Sequence, residues 1–377
     1  MKRAIIDILA CPDCGSELRL TEFELNRETD ENGKSIDDIE EGILLSRCGA
    51  AYPIIEGVPR LLEGALFVHE AFRSKWSKEL HDLQALSDRA LTPPSNEFRS
   101  IIEPTLKRFE KEWKEHPLEE RTWGLNQDTR IEHSLRYLGW TRDEIKGKFV
   151  LDAGAGTGQL SCSMATLGCE VVGIDLSPAV VRGWKLRHVY AKSRKTNVHI
   201  VQGNLMKLPF RKQVFDGVMS QGVLHHTPNT QQAFKVLAQT VRNGGSLGVW
   251  LYNEAEGYLP LVPLSRSHRT SVRMSTLRRL TPKLPPSLLY GSLVLYASVF
   301  QGFYRVNSVL RKRKHDQTVR ERATSLFDSL APPYVWRHTR HEVIDWFATA
   351  DFVDIRETTI PDDVDGFCIT GRRAKTS

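Results

Sequence analysis

The chain has 377 residues, too many for one small domain, and its 40% hydrophobic and 26% charged content is that of an ordinary globular protein rather than a fibrous or disordered one. The formal net charge of +6 is unevenly laid out: Thr21–Gly42 holds nine acids and two bases, whereas Leu264–Arg322 holds thirteen Lys and Arg against two acids. That basic stretch carries +11 and leaves −5 for the remainder, which excludes a generally basic protein that coats nucleic acid.

The first residues, MKRAIIDILA, form a short apolar run broken by Asp7 and do not read as a secretion signal. The six cysteines are scattered and do not read as a disulfide framework, so a reducing, cytoplasmic setting is expected. ILACPDCGSELRL (Ile8–Leu20) is a C-x-x-C knuckle followed by glycine; an acidic loop comes next, and then EGILLSRCGAAYPIIEGVPRLL (Glu41–Leu62) brings a second Cys-Gly turn and an apolar strand. Two such knuckles ordinarily hold one zinc through four thiolates. Here the second knuckle offers Cys48 alone, because the positions three residues to either side are Leu45 and Ala51. Cys11, Cys14 and Cys48 thus make an incomplete site, leaving open a nearby Asp or Glu, a water, or loss of the metal. The stretch resembles the small zinc-ribbon domain known as an activating subunit of tRNA and protein methyltransferases, which in bacteria is also fused ahead of methyltransferase domains. Residues 1–64 are expected to form this ribbon-like domain.

Residues 65–120 are expected to be a helical linker. Ala65–Leu86 shows apolar residues at three-to-four spacing, Thr92–Ser95 breaks it, and Phe98–His116 is again helical and highly charged. Arg121–Trp140 is expected to cap a sheet, with Trp123, Arg130 and His133 either facing a substrate or packing the helix.

Val150–Gly158 reads VLDAGAGTG: an apolar strand end runs into a turn with Gly154, Gly156 and Gly158, where the backbone can close on a ligand without a Cβ in the way. Seventeen residues after the last glycine, VVGIDLS ends a second apolar strand in Asp175 and Leu176. A carboxylate there is the usual device for holding two ribose hydroxyls. The spacing is G-x-G-x-G with Gln159 next, not the G-x-G-x-x-G of dinucleotide sites. Asp152 stands two residues before the first glycine, where its charge would repel a pyrophosphate and welcome a cationic ligand. S-adenosylmethionine has an amino group and a sulfonium but no phosphate.

In this region the chain resembles class I S-adenosylmethionine-dependent methyltransferases, in the branch that includes quinone-biosynthesis enzymes. VQGNLMKLPF (Val201–Phe210) is similar to the segment after the third strand, where Asn204 replaces the usual Asp that faces the adenine and Leu205 follows. FDGVMSQGVLHHT (Phe215–Thr227) is similar to the fourth strand and its loop, and VRNGGSLGVWLY (Val241–Tyr252) to the turn into the fifth. The resemblance implies an α/β fold with a seven-stranded Rossmann-like sheet over residues 121–377. It implies that Asp152 and the glycine turn hold the methionine end, Asp175 the ribose, and Asn204 and Leu205 the adenine, with Gln221 lining the pocket through its backbone.

After the fifth strand the expected helix, His341–Ala350, and the strands Phe352–Ile360 and Phe367–Arg372 come late, with His341 read as a cap or surface residue. Residues 253–340 therefore form a basic, helical insert at the carboxyl edge of the sheet, where insertions commonly make substrate lids. Its centre, Ser287–Tyr304, is an uncharged run of eighteen between basic flanks that include Arg311–Lys314. The first reading is a buried helix pair covering the substrate. The second is a peripheral membrane contact through residues 264–322, and a true span, at the lower limit of length, is the third.

His225 and His226 follow the fourth strand and face the expected pocket, as candidate general bases or as pocket walls. No N/D-P-P-Y-type tetrapeptide follows that strand, which disfavours methylation of amino groups on DNA bases or glutamine. The resulting expectation is a methyltransferase using S-adenosylmethionine, with zinc in the ribbon as a further candidate cofactor. It would act by O- or C-methylation on a small or lipid-linked, anionic acceptor. An RNA methyltransferase that clamps its substrate between ribbon and insert is the alternative, disfavoured by the acidic loop and by the few aromatics in the basic stretch. A non-catalytic scaffold of the same fold is a third reading, opposed by the intact glycines and Asp175.

Overall fold

The computed structural model describes all residues except 30–34, 84–86, 116–120, 123–124, 192–196, 255–257, 261–270, 311–316, 361–365 and 376–377. Trp123 and the basic run Arg311–Lys314 lie outside the described residues.

Four antiparallel strands open the chain: β1 (Leu18–Thr29), β2 (Ser35–Ser46), β3 (Ala51–Ile55) and β4 (Val58–Leu61). Short helical turns follow at Ala65–Val68, Glu70–Lys75 and Ser77–His81, and then α1 (Glu103–Glu115). The periodic segment after the ribbon is therefore broken into turns rather than continuous. α2 (Gln127–Leu138) starts under an Asn126 cap, whose side chain accepts from the Thr129 N–H, and stops at Gly139.

An alternating pattern follows: β5 (Phe149–Ala153), α3 (Gln159–Ala165), β6 (Glu170–Asp175), α4 (Val181–Ala191), β7 (Asn197–Gly203), β8 (Phe215–Gln221), α5 (Thr230–Thr240) and β9 (Val241–Tyr252). These strands read as continuous apolar runs because helices cover both their faces, and β5 to β8 pair in parallel around β5. The insert supplies α6 (Pro286–Leu310) and α7 (Val319–Leu330). Thr318 and Glu321 form a reciprocal capping box at the start of α7. α8 (Arg340–Thr349) is capped by Thr339, so His341 is an exposed second-position residue and not the cap. β10 (Phe352–Glu357) and β11 (Gly366–Arg373) close the sheet antiparallel.

The expected seven strands are present, in the order β7-β6-β5-β8-β9-β11-β10, but they do not stand apart from the ribbon. These eleven strands form one sheet, β1-β2-β3-β4-β7-β6-β5-β8-β9-β11-β10, beside two separate two-stranded pairs among the described residues. The join is a parallel pairing of β4 with β7, Arg60 opposite Gln202 and Leu61 opposite Gly203. This pairing covers an edge that would otherwise present unpaired backbone groups. Side chains tighten the seam. Arg187 on α4 donates to Asp38 of β2 at 2.8 Å, Arg60 Nη1 donates to Gln202 Oε1 at 3.1 Å, and the Met1 amine donates to the Ile39 carbonyl at 2.6 Å. Burial lowers the pKa of that amine to about 4. One apolar core runs through the seam, joining Ile5, Leu44 and Tyr52 of the ribbon to Leu151, Val172 and Val201 of the central strands. Each such fully buried side chain contributes roughly 1.5–3 kcal/mol.

The uncharged run in the insert is one helix rather than a buried pair. Gly291 and Gly302 do not interrupt α6, and its packing partner is α7, with Leu289, Leu293 and Ala297 against Ala323 and Phe327. Among the described residues no helix is long and apolar enough to cross a membrane.

Candidate functional site

The site is built at the carboxyl ends of β5, β6, β8 and β9. After Ala153 the chain turns through Gly154, Gly156 and Gly158, with φ of 98°, 57° and 73°, a region in which side-chain-bearing residues are strained. Space adds to the need. A Cβ on Gly154 would lie 2.2 Å from a Val223 methyl, and one on Gly156 would lie 2.5 Å from the indole of Trp113. The Gly154 and Ala155 N–H groups donate to the Ile174 carbonyl at 2.8 and 2.9 Å, and the Gly156 N–H donates to Asp175 Oδ2 at 2.9 Å. Asp175 Oδ1 accepts from the Ser177 N–H at 2.8 Å. The carboxylate at the end of β6 thereby braces the glycine turn at the end of β5.

Two of the predicted acids meet here. Asp152 is buried and accepts from Ser161 Oγ at 2.7 Å; burial raises its pKa to about 6, against the Ser161 hydrogen bond and the positive field of Arg130. Burial raises Asp175 to about 7 despite its backbone donors, with Asp152 adding to the rise. Arg130 thus acts on the site through its charge, while His133 packs beside Tyr137.

A third acid is one that the sequence did not single out. Glu112 on α1 is 1% exposed, and burial, then Asp328, then Asp175 push its pKa well up. Its Oε2 has no hydrogen-bond partner among the described residues. The next residue, Trp113, covers the glycine turn, and its carbonyl accepts from Arg182 at 2.8 Å. The only hint in the sequence was a tryptophan within a highly charged helix.

The remaining predicted binders lie along the same edge. Leu176 offers its carbonyl to Gln202 Nε2 at 3.0 Å. Asn204 Oδ1 accepts from the Met206 N–H at 2.9 Å, folding this side chain onto its own loop, and Leu205 is buried. Gln221 ends β8, and its side chain donates to Ser134 Oγ at 2.8 Å, which leaves its backbone at the strand end.

His225 and His226 are both buried and differ in their surroundings. His225 stacks on Tyr252 with ring centroids 4.0 Å apart, neither ring nitrogen has a partner among the described residues, and burial holds its pKa well down. His226 Nδ1 lies 3.0 Å from the Tyr334 carbonyl, so this nitrogen carries the hydrogen that it donates. Its Nε2 lies 3.3 Å from Asp328 Oδ1, and Asp328 also accepts from the Tyr252 hydroxyl. Asp328 belongs to α7, so the insert reaches the loop after β8. Phe109 of α1 packs edge-on against His226, and Arg108 donates to the carbonyls of Pro282 and Leu284. α1 therefore spans from the glycine turn to the insert.

In the ribbon the sulfurs of Cys11, Cys14 and Cys48 lie within 4.8 Å of one another. Ser46 Oγ, another residue that the sequence did not mark, lies 3.3 Å from both the Cys14 and the Cys48 sulfur. Hydrogen bonding with Ser16 and Ser46 lowers the Cys14 thiol to about 6, and burial raises that of Cys11. Three convergent sulfurs supply three of the four ligands that a structural zinc takes.

Residues 151–249 match the family model for a methyltransferase domain, and residues 2–57 match that for a Trm112p-like protein. A demethylmenaquinone methyltransferase of Thermobifida fusca is 34% identical over 124 residues, 33% of this chain and 50% of the relative. A ubiquinone biosynthesis O-methyltransferase of Thiobacillus denitrificans is 31% identical over 132 residues, 34% of this chain and 56% of the relative. The chain spans about half the length of the curated relatives it matches. A solved structure of magnesium protoporphyrin IX methyltransferase from Synechocystis with bound S-adenosylhomocysteine is similar at 15% identity. That match covers 66% of this chain and 83% of that one, with a TM-score of 0.38.

Residues 151–249 thus carry the pattern of a methyltransferase domain, on a parallel-stranded sheet with a glycine turn at its carboxyl edge. In this chain the segment similar to a methyltransferase domain follows one similar to a Trm112p-like protein.

Proposed function

We propose that the protein transfers a methyl group from S-adenosylmethionine to a small or lipid-linked acceptor by O- or C-methylation. The observation that carries the reading is the gathering of three buried carboxyl groups, Asp152, Asp175 and Glu112, around a glycine turn, one of them with an oxygen lacking a partner. Such a cradle is hostile to a pyrophosphate and suits a ligand with cationic ends. It fits S-adenosylmethionine, which when bound supplies an electrophilic methyl group on a sulfonium. Asp152, Glu112 and the glycine turn would hold the methionine end, and Asp175 the ribose. Leu176, Asn204 and Leu205 would face the adenine, with the Gln221 backbone beside it.

The chain's own part in the chemistry is alignment, exclusion of water and handling of one proton. Trp113 and Phe109 on α1 roof the cleft and keep water out. His226 is the better candidate base of the pair. Its Nδ1–H is committed to Tyr334, so Nε2 is the basic nitrogen, and the Asp328 carboxylate stabilises the imidazolium formed when Nε2 takes a proton from the acceptor. His225, held neutral by burial, forms the wall. Cys11, Cys14 and Cys48, with Ser46 Oγ or a water as the fourth donor, would hold zinc as a brace for the ribbon.

The test is incubation of the pure protein with methyl-labelled S-adenosylmethionine and fractionated cell extract. Label in the lipid or small-metabolite fraction is the expected result, and label in no fraction contradicts the reading. An RNA or protein acceptor is the second reading, favoured by the ribbon's resemblance to an activating subunit of tRNA and protein methyltransferases and by the basic stretch 264–322. Label in RNA or protein would select it.

A further inference from the structure

We infer that α6 is the membrane-docking surface of this protein and that it lies flat on an anionic bilayer. The helix is apolar on two faces about 120° apart. Leu289, Leu293 and Ala297 are buried against α7. Leu288, Leu295, Val299, Phe303 and Val306 are 45% to 67% exposed. At about 100° per residue these five fall within a stripe roughly 80° wide, which also contains Ser292, and they run along about 27 Å of the helix. Scattered exposed apolar residues need no explanation, but an aligned row of five does.

Charge selects the occupant. From Ser271 to Leu310 the chain has five bases, Arg273, Arg278, Arg279, Lys283 and Arg305, and no acid. Arg279 and Lys283 are exposed just ahead of the helix, beside the exposed Leu280 and Leu284. An apolar stripe bordered by bases matches the boundary between acyl chains and anionic headgroups, to which each basic residue near the surface contributes about 1 kcal/mol. A second copy of the chain would bring the same positive charge to the contact and be repelled. The helix does not meet the requirement for a span, so it lies in the interface plane.

The placement also serves the cleft. α6 packs on α7, which carries Asp328 to His226, and Lys111 of α1 sits 5.7 Å above the Tyr290 ring of α6. A bilayer under α6 is therefore two helices away from the loop after β8.

The experiment is co-sedimentation of the full chain with vesicles of phosphatidylcholine alone and of phosphatidylcholine mixed with anionic phosphatidylglycerol. Expected is binding at least tenfold tighter to the anionic vesicles. The double variant Leu295→Glu and Val299→Glu should lose it by tenfold or more, with an unchanged near-ultraviolet circular dichroism spectrum because both positions are exposed. Arg279→Glu with Lys283→Glu should weaken binding to the anionic vesicles and leave the weak binding to neutral ones unchanged. Wild-type binding that ignores vesicle charge, or that survives the Leu295 and Val299 changes, overturns the proposal. So does light scattering that shows a dimer converted to monomer by those changes, since a second copy would then be the occupant.

Discussion

The indole of Trp113 rests on Gly156, so close that a Cβ there would come within 2.5 Å of the ring. A ligand seated on the glycine turn must lift this ring, and α1 with it. Trp113→Ala is therefore expected to raise the association rate constant for S-adenosylmethionine several-fold, measured by stopped-flow fluorescence from the remaining tryptophans. An unchanged rate would mean that α1 does not gate the turn.

Burial holds Asp152 near 6 and Asp175 near 7. Both are above the unfolded value of about 3.9, so the native state binds more protons in that interval. Their contribution to stability is present below about pH 4 and is lost as pH rises through 7. A cationic ligand binds the ionised carboxylates, so its affinity should rise from about pH 5 to 7 and its binding should release protons. Calorimetry near pH 6 in buffers of different ionisation enthalpy should give different apparent enthalpies. The same enthalpy in every buffer would remove the two acids from the binding event.

Asp38 and Arg187, 149 positions apart, form a buried ion pair across the seam of the sheet. Asp38→Ala leaves the guanidinium buried without its carboxylate and should cost about 3–5 kcal/mol in a denaturant titration. Asp38→Leu with Arg187→Met, which removes both charges, should recover most of that loss. A loss below about 1 kcal/mol for the single variant would show that the seam does not depend on the pair.

His226→Asn should reduce kcat by roughly 10²–10⁴ while leaving S-adenosylmethionine binding unchanged, if the acceptor loses a proton in transfer. Asp328→Asn should reduce kcat less. His225→Phe should keep most of the activity. A His226→Asn enzyme with full kcat would assign proton removal elsewhere.

The glycine turn, Asp152 and Asp175 were legible because their chemistry is local. A left-handed turn needs glycine, and a strand end presents its last side chain to the ligand edge. The ribbon was legible from its cysteine spacing. What escaped depends on contacts between distant segments. Glu112 and Trp113 acquire meaning only where α1 crosses a turn about forty residues further on, and Asp328 only where the insert folds back to His226. Ser46 carries no signal in the sequence, and its place beside Cys14 and Cys48 depends on how the strands fold together. The parallel pairing of β4 with β7 was equally hidden, because β4 carries the same apolar pattern whether it ends a separate domain or extends a larger sheet.

The central claim is that a sulfonium-bearing nucleoside sits on the turn that Asp175 braces. The direct measurement is titration calorimetry of the full chain with S-adenosylmethionine and, in parallel, with NADH, repeated on Asp175→Ala. One site for S-adenosylmethionine, none for NADH, and a loss of about 1–3 kcal/mol in the variant are expected. Binding of NADH in its place, or no binding of either ligand, would contradict it.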